Sequence, residues 1–247
     1  MTAGDEAMVV VGDVSRTFGR GRAATQALRG VSFTVGTGQL VAITGRSGAG
    51  KTTLLNIVGG LDSPTAGTVR IAGRDVTAMP ERERAHFRSS TTGFIFQSFG
   101  LIPMLSAAEN VGVPLRIAGV GRREREERVG LLLSIVGLAG HAAHRPAELS
   151  GGQQQRVAIA RSLAAGPRLL IADEPTGQLD SETGRQIMRL LGVVVRSEGI
   201  TSLVATPDAE LIGLADATLR LEDGRVAETS QRAGAGAAAP GAAGPAQ

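Results

Sequence analysis

One stretch leaves this chain few folds to choose from: Thr44 to Leu55, which reads TGRSGAGKTTLL. It contains Gly45-x-x-x-x-Gly50-Lys51-Thr52, preceded by the apolar run Leu40 to Ile43 and followed by residues with helical character. A strand that feeds a glycine-rich turn into a helix N-terminus aims successive backbone N–H groups at one point, and the helix dipole adds partial positive charge there. Phosphate is the natural occupant of such a cradle, here formed by Gly45, Arg46, Ser47, Gly48, Ala49, Gly50 and Thr53 around Lys51 and Thr52. Lys51 is expected to reach the β- and γ-phosphates, and the Thr52 hydroxyl to hold Mg²⁺. Lys51 is also the only lysine among 26 basic residues. An arginine would put a wide planar fork where a tight loop admits a compact ammonium, so the single lysine sits where chemistry leaves least latitude.

A second feature gives that loop a counterpart. Leu169-Leu170-Ile171-Ala172 reads as a buried strand that delivers Asp173 and Glu174 at its C-terminal end, where ligands sit in open α/β sheets. Two acids after an apolar run are ordinarily a solvated strand end. Paired with the loop at Gly45, they complete a site in which Asp173 binds Mg²⁺ through water and Glu174 orients or deprotonates the attacking water.

Composition narrows the remaining options. At 247 residues the chain can bury a sizeable core, as one large domain or two small lobes. No apolar run approaches the ~20 residues of a membrane-spanning helix, and the N-terminus lacks the basic and apolar regions of a secretory signal. Without cysteine there are no disulfides or thiolate metal sites, which favours an intracellular location. The sequence pI near 10.7 suggests nucleic-acid binding, yet the net charge is only +3 and there is neither Tyr nor Cys to titrate. The high pI therefore reports missing buffers rather than a basic surface. Arg122, Arg123, Arg125 and Arg128 alternate with Glu124, Glu126 and Glu127, the pattern of a solvated helix face more often than of a phosphate patch.

Periodicity and turn residues predict strands at Met8–Val14, Val31–Val35, Leu40–Thr44, Thr68–Ala72 and Gly93–Phe96, with a helix from Lys51 to Gly59-Gly60. From 98 to 165 the pattern turns helical, with Ala107–Ala118 interrupted by Pro114, then Arg122–Val136 and Val157–Ala165. Leu169–Ala172 and Thr201–Ala205 read as strands around a helix at Glu182–Arg196, and Ala217–Glu228 as a hairpin turning at Asp223-Gly224. This organisation implies a nucleotide-binding unit over 1–230, its core about 1–97 and 166–230 and an inserted helical lobe about 98–165. The remainder, 231–247, with its approach from Ser230, is an Ala/Gly/Pro-rich tail expected to be disordered.

Leu149-Ser150-Gly151-Gly152-Gln153 is the most specific string in the chain. Locally it reads as a helix start with Ser150 as N-cap. Together with the loop at Gly45 and the acids at Asp173 and Glu174, it resembles the ATP-binding cassette ATPases over nearly the whole chain. The resemblance implies an α/β P-loop NTPase (RecA-like) fold with a mainly parallel sheet, an N-terminal antiparallel β region and the helical lobe. It implies Mg²⁺-dependent ATP hydrolysis by two cassettes, in which Ser150, Gly151, Gly152 and Gln153 of one meet the γ-phosphate held by the other. Gln97 matches the glutamine that touches Mg²⁺ and water and links the site to a membrane subunit. Phe18 matches the aromatic that stacks on adenine, the alternative being core packing, and Asp180 matches the aspartate loop at the dimer interface.

The segments Gly93–Pro103, Glu109-Asn110-Val111 and Leu149–Ala160 are similar to cassettes of the macrolide-export and lipoprotein-release type. That implies a second cassette, identical or not, and separate transmembrane permease subunits docking on the lobe between Ser98 and Gly119. The chain would lie peripherally on the cytoplasmic membrane face, with no nucleic-acid partner. One departure stands out: where the family carries a histidine after the strand Thr201–Ala205, this chain has Pro207. Proline has no ring nitrogen to donate and no backbone N–H, so slowed hydrolysis is expected. The alternative is an ATP-gated regulatory or scaffold module with little turnover. Gln178, in place of a smaller residue, is a milder change.

Overall fold

The computed structural model describes residues 7–19, 21 and 24–231. In chain order the first elements are β1 (Ala7–Phe18), β2 (Thr25–Gly36), β3 (Leu40–Thr44), α1 (Lys51–Val58), β4 (Ala66–Ile71), β5 (Arg74–Asp75), α2 (Glu81–Thr91) and β6 (Thr92–Ile95). There follow α3 (Ala107–Ile117), α4 (Arg122–Ile135), two 3₁₀ turns (Ala139–His141 and Pro146–Glu148) and α5 (Gly151–Leu163). The chain then returns through β7 (Leu169–Asp173), α6 (Ser181–Ser197), β8 (Thr201–Ala205), α7 (Ala209–Leu214), β9 (Ala217–Glu222) and β10 (Arg225–Gln231).

These strands make two sheets. One is antiparallel, in the order β2-β1-β4-β5; the other runs β10-β9-β3-β8-β7-β6 and is parallel except for β10. β3 and β7 are apolar up to their last residue because both of their faces are covered, whereas β8 opens on the buried Thr201 and Ser202. Along β3, Leu40 and Ala42 join the core made with α3, α4, α5 and α6, while Val41 and Ile43 join the core made with α1, β1, β2 and β4. β7 divides the same way, Leu170 and Ala172 facing the helices and Leu169 and Ile171 facing α1. With side chains alternating at period two, a strand buried on both sides is apolar at successive positions except where a polar side chain finds a partner, as Thr201 Oγ1 accepts from the Gly38 N–H at 2.9 Å.

The structure departs from the sequence reading in several places. The first two strands are longer than expected, each spanning 12 residues, because they pair with each other along almost their whole length. Helix α2 has no sequence signature because it buries only Phe87 and Thr91 and is otherwise polar, so it carries no apolar stripe. α3 does not break at Pro114 but runs through it. The lost backbone hydrogen bond is offset by the Ser106–Glu109 capping box and by burial of Val111 and Leu115. The terminal hairpin does turn at Asp223-Gly224, both with positive φ (47° and 75°), the geometry that suits a two-residue loop. Ser230 and Gln231, read as the start of the tail, are the end of β10 and pair with Thr218 and Ala217 of β9, and the rest of the tail, 232–247, lies outside the described residues. No helix among the described residues is long and apolar enough to cross a membrane.

Candidate functional site at the C-terminal edge of the parallel sheet

Strand register brings the chemistry to one line. Ile43 pairs with Ala205, Ala205 with Asp173, and Ala172 with Ile95. The residues just beyond these ends, Gly45, Pro207, Glu174 and Gln97, therefore emerge along one edge of the sheet, where open α/β folds bind ligands.

The loop is shaped by two glycines that no other residue could replace. Gly45 has φ 146°, and a Cβ there would collide with the carbonyl of Leu221. Gly50 has φ 103°, and a Cβ would stand 2.7 Å from the Ala27 carbonyl oxygen and 2.9 Å from Leu28. Gly50 is also the N-cap of α1, with no side-chain cap and no acid in the first turn, so the leading N–H groups are left to an anionic ligand.

Lys51 is buried, with 8% of its surface exposed. Its Nζ donates to the carbonyls of Gly45 (3.0 Å) and Arg46 (3.2 Å) and lies 3.3 Å from Glu174 Oε1. Gln97 Nε2 reaches the other Glu174 oxygen at 3.5 Å. Glu174 itself holds φ 43°, a conformation seldom adopted by residues with a Cβ, and is fixed by its N–H to the Ala205 carbonyl (2.9 Å). No sequence pattern announces that strain, nor the ion pair to Lys51.

Asp173 lies beside them. Burial pushes its carboxyl above the usual carboxylate range, the Glu174 charge adds to the rise, and the Thr52 hydroxyl and Lys51 partly oppose it. Its Oδ1 is buried without a hydrogen-bond partner. An orphaned carboxylate oxygen next to the Thr52 hydroxyl is a hard, all-oxygen donor pair, and it fits Mg²⁺.

Thr206 is 1% exposed; its N–H donates to the Ile43 carbonyl (3.2 Å) and its Oγ1 accepts from the Asp208 N–H (3.0 Å). Asp208 in turn caps α7 through the Leu211 N–H (2.9 Å). Pro207 sits exposed between these anchored neighbours and offers the edge no donor.

The remaining expected residues lie apart from the loop. Among the described residues, no hydrogen bond or ion pair joins Ser150–Gln153 to 45–53. Ser150 is the N-cap of α5 in a capping box with Gln153, as the local reading expected. Asp180 caps α6, and the N–H and hydroxyl of Thr183 hold its carboxyl below the usual range. The two caps are neighbours: a Cβ on Gly152 would lie 2.5 Å from Thr183, and one on Gly151 would lie 3.2 Å from Leu179. Phe18 is 42% exposed, which rules out core packing, and one face of its ring carries the Arg16 guanidinium at 4.5 Å.

The sequence reading placed a docking socket between Ser98 and Gly119. The structure has a groove of about 610 Å³ with only one wall in that stretch, at Gly100, Pro114 and Ile117. The other wall comes from α2, β6 and α5, including the stacked Phe94 and Phe96 and the buried side of Arg161. Arg161 donates to the carbonyls of Phe99 (3.0 Å) and Gly100 (2.6 Å), fastening the turn after Gln97 to α5.

Comparison with known proteins agrees with this geometry. A family model described as "ABC transporter" matches residues 28–177. The ABC transporter ATP-binding protein YtrE of Bacillus subtilis is 49% identical over 197 residues, covering 80% of this chain and 85% of YtrE. The lipoprotein-releasing system ATP-binding protein LolD of Geobacter metallireducens is 45% identical over 219 residues, covering 89% of this chain and 97% of LolD. A solved dimer of the ATP-binding cassette MJ0796, in a post-hydrolysis state with ADP and Pi, matches with a TM-score of 0.84 at 40% identity, covering 91% of this chain and 98% of that one. The chain belongs to the ABC transporter family: it is an ATP-binding cassette ATPase with the P-loop NTPase fold.

Proposed function

We propose that this chain is one of two cassettes that close around two ATP molecules and hydrolyse them slowly, driving separate membrane subunits in export or envelope-directed work. The observation that carries this reading is the convergence of Lys51, Glu174 and Gln97 at the glycine loop, beside a Pro207 that supplies no donor. The loop N–H groups and Lys51 would hold the phosphates, and Thr52 and Asp173, with Gln97, would hold Mg²⁺. Mg²⁺, when bound, neutralises charge on the β- and γ-phosphate oxygens. Glu174 takes a proton from the attacking water. Phe18 stacks on the adenine through its free face, and Ser150, Gly151, Gly152, Gln153 and Asp180 meet the nucleotide and the interface of the second cassette.

The second cassette is another copy of this chain or a relative, and the groove at Phe94, Phe96 and Ile117 receives the membrane subunits. The name of the LolD relative, a lipoprotein-releasing system ATP-binding protein, supports work of that type, and in that role the chain would lie peripherally on the cytoplasmic membrane face. Two lobes, a sheet core and the helices of 98–165, would carry the nucleotide loop and Ser150–Gln153 respectively, leaving 231–247 as a tail. Pro207 also favours a second reading, an ATP-gated regulatory or scaffold module that binds nucleotide, dimerises and turns over little. Phosphate release distinguishes them: measurable turnover that disappears in Lys51→Ala and Glu174→Gln supports a working ATPase. Tight ATP-driven dimerisation with negligible turnover supports the module.

A further inference from the structure

Two of the three histidines in the chain flank the Ser150–Gln153 segment. His141 and His144 have ring centroids 5.1 Å apart, and His141 Nε2 is 3.2 Å from Gln153 Nε2. The capping box decides which of these nitrogens donates. The Ser150 N–H donates to Gln153 Oε1 at 2.9 Å, which turns the Gln153 NH₂ toward His141. An amide NH₂ can only donate, so His141 Nε2 must present a bare lone pair and its proton must sit on Nδ1. With the amide flipped, a donor would face the Ser150 N–H and the box would open.

The platform that carries His141 is stiff. The His141 N–H donates to the Leu138 carbonyl (2.9 Å) and the Leu138 N–H to Leu133 (2.7 Å), while Ala107 and Ala108 at the start of α3 donate to His144 (2.7 Å) and Ala142 (2.9 Å). The first turns of α5 are tied back to the same region, Gln154 to the Leu149 carbonyl (3.1 Å) and Arg156 to the Val136 carbonyl (3.0 Å). Closing the box has a chemical result. Ser150 Oγ accepts from the Gln153 N–H at 3.3 Å, which leaves the hydroxyl proton and the N–H groups of Gly151 and Gly152 to point at an anion.

We infer that His141 is a positioning residue for this segment, its neutral Nε2 locking the Gln153 amide in the orientation that closes the capping box around Ser150. The inference rests on the proposed meeting of Ser150–Gln153 with a second cassette's nucleotide. It goes beyond that reading by naming a residue outside the Ser150–Gln153 segment that acts through the Gln153 amide.

The test uses the full chain carrying Glu174→Gln, in which bound ATP is not consumed. Imidazole ¹⁵N–¹H spectra of the nucleotide-free protein should show His141 protonated at Nδ1; a proton on Nε2 overturns the inference whatever the dimer does. In sedimentation at saturating MgATP, His141→Ala should weaken ATP-driven dimerisation by about fivefold per segment, the worth of one hydrogen bond. His141→Asn, whose Oδ1 accepts, should recover most of that loss. Affinity of the monomer for a fluorescent ATP analogue should be the same in all of them, and matched melting temperatures exclude a folding defect. Parent-like dimerisation by His141→Ala, or no recovery in His141→Asn, overturns the inference. Ser150→Arg separates it from the reading beneath it. If that variant abolishes dimerisation while His141→Ala does nothing, only the role of His141 fails; if Ser150→Arg also dimerises normally, both fail.

Discussion

Lys51 Nζ stands 3.3 Å from Glu174 Oε1, so the cation of the phosphate loop and the carboxylate opposite hold each other. Incoming phosphates must take Lys51 away from Glu174, and doing so leaves the carboxylate free to face the water. Glu174→Gln should therefore bind ATP at least as tightly as the parent while phosphate release falls by about 10²- to 10⁴-fold, the range of a lost general base. Lys51→Ala should lose both. Equilibrium dialysis with parallel phosphate-release assays checks this, and weaker ATP binding by Glu174→Gln would contradict it.

Pro207 is the second lever. Thr206 is anchored to Ile43, and Asp208 caps α7, so the backbone on both sides of the exposed Pro207 is already fixed. Pro207→His should thus be tolerated and place a donor at the sheet edge beside Glu174. Phosphate release at saturating ATP is expected to rise about tenfold or more, and the gain should vanish in the double variant with Glu174→Gln. Equal rates in parent and Pro207→His would sink the idea.

What the sequence made legible follows from what each element needs. β3 and β8 have the bounds the sequence reading gives them because their apolar stretches, Leu40 to Ile43 and Leu203 to Ala205, pack alternately into the cores on both faces and stand beside short polar ends. α2 and α7 are absent from that reading, the first because two buried residues make no period, the second because six residues are too few to show one. Glycine loop, paired acids, Gln97 and Ser150–Gln153 were visible as strings. Their arrangement was not: the Lys51–Glu174 pair, the positive φ of Glu174 and the Arg161 ties to Phe99 and Gly100 depend on segments far apart in the chain. Phe18 shows the boundary well, since stacking and core packing look alike until exposure is known.

Asp173 provides a prediction with a sign. Burial raises its pKa, so the folded chain holds that proton more tightly than the unfolded chain does. As pH rises above the ordinary carboxylate value, the unfolded state ionises first and stability falls, until the folded group has ionised too. At neutral pH the nucleotide-free, Mg²⁺-free protein therefore carries a penalty that is absent below the ordinary carboxylate range. Asp173→Asn should remove it and raise the melting temperature at pH 7, with a smaller difference at pH 4. The same variant should lose Mg²⁺-dependent phosphate release. Thermal melts at the two pH values with EDTA present check the first part, and a lower melting temperature at pH 7 would refute it.

Phe18 tests whether the base, and not only the phosphates, is recognised. Its ring is exposed, and Arg16, held by Asp62 at 2.9 Å, covers one face at 4.5 Å. A guanidinium on one face keeps the ring from collapsing onto the surface and leaves the other face for adenine. Stacking of a base on an aromatic is worth about 1–3 kcal/mol, so Phe18→Ala should weaken ATP and ADP alike by about five- to a hundredfold. Inorganic tripolyphosphate, which has no base, should bind the variant and the parent equally. Phe18→Trp should keep most of the affinity, and Arg16→Gln should lose less than Phe18→Ala because the ring remains. Competition of each ligand against a fluorescent nucleotide gives all four comparisons. If tripolyphosphate weakened as much as ATP, Phe18 would be shaping the loop rather than contacting the base.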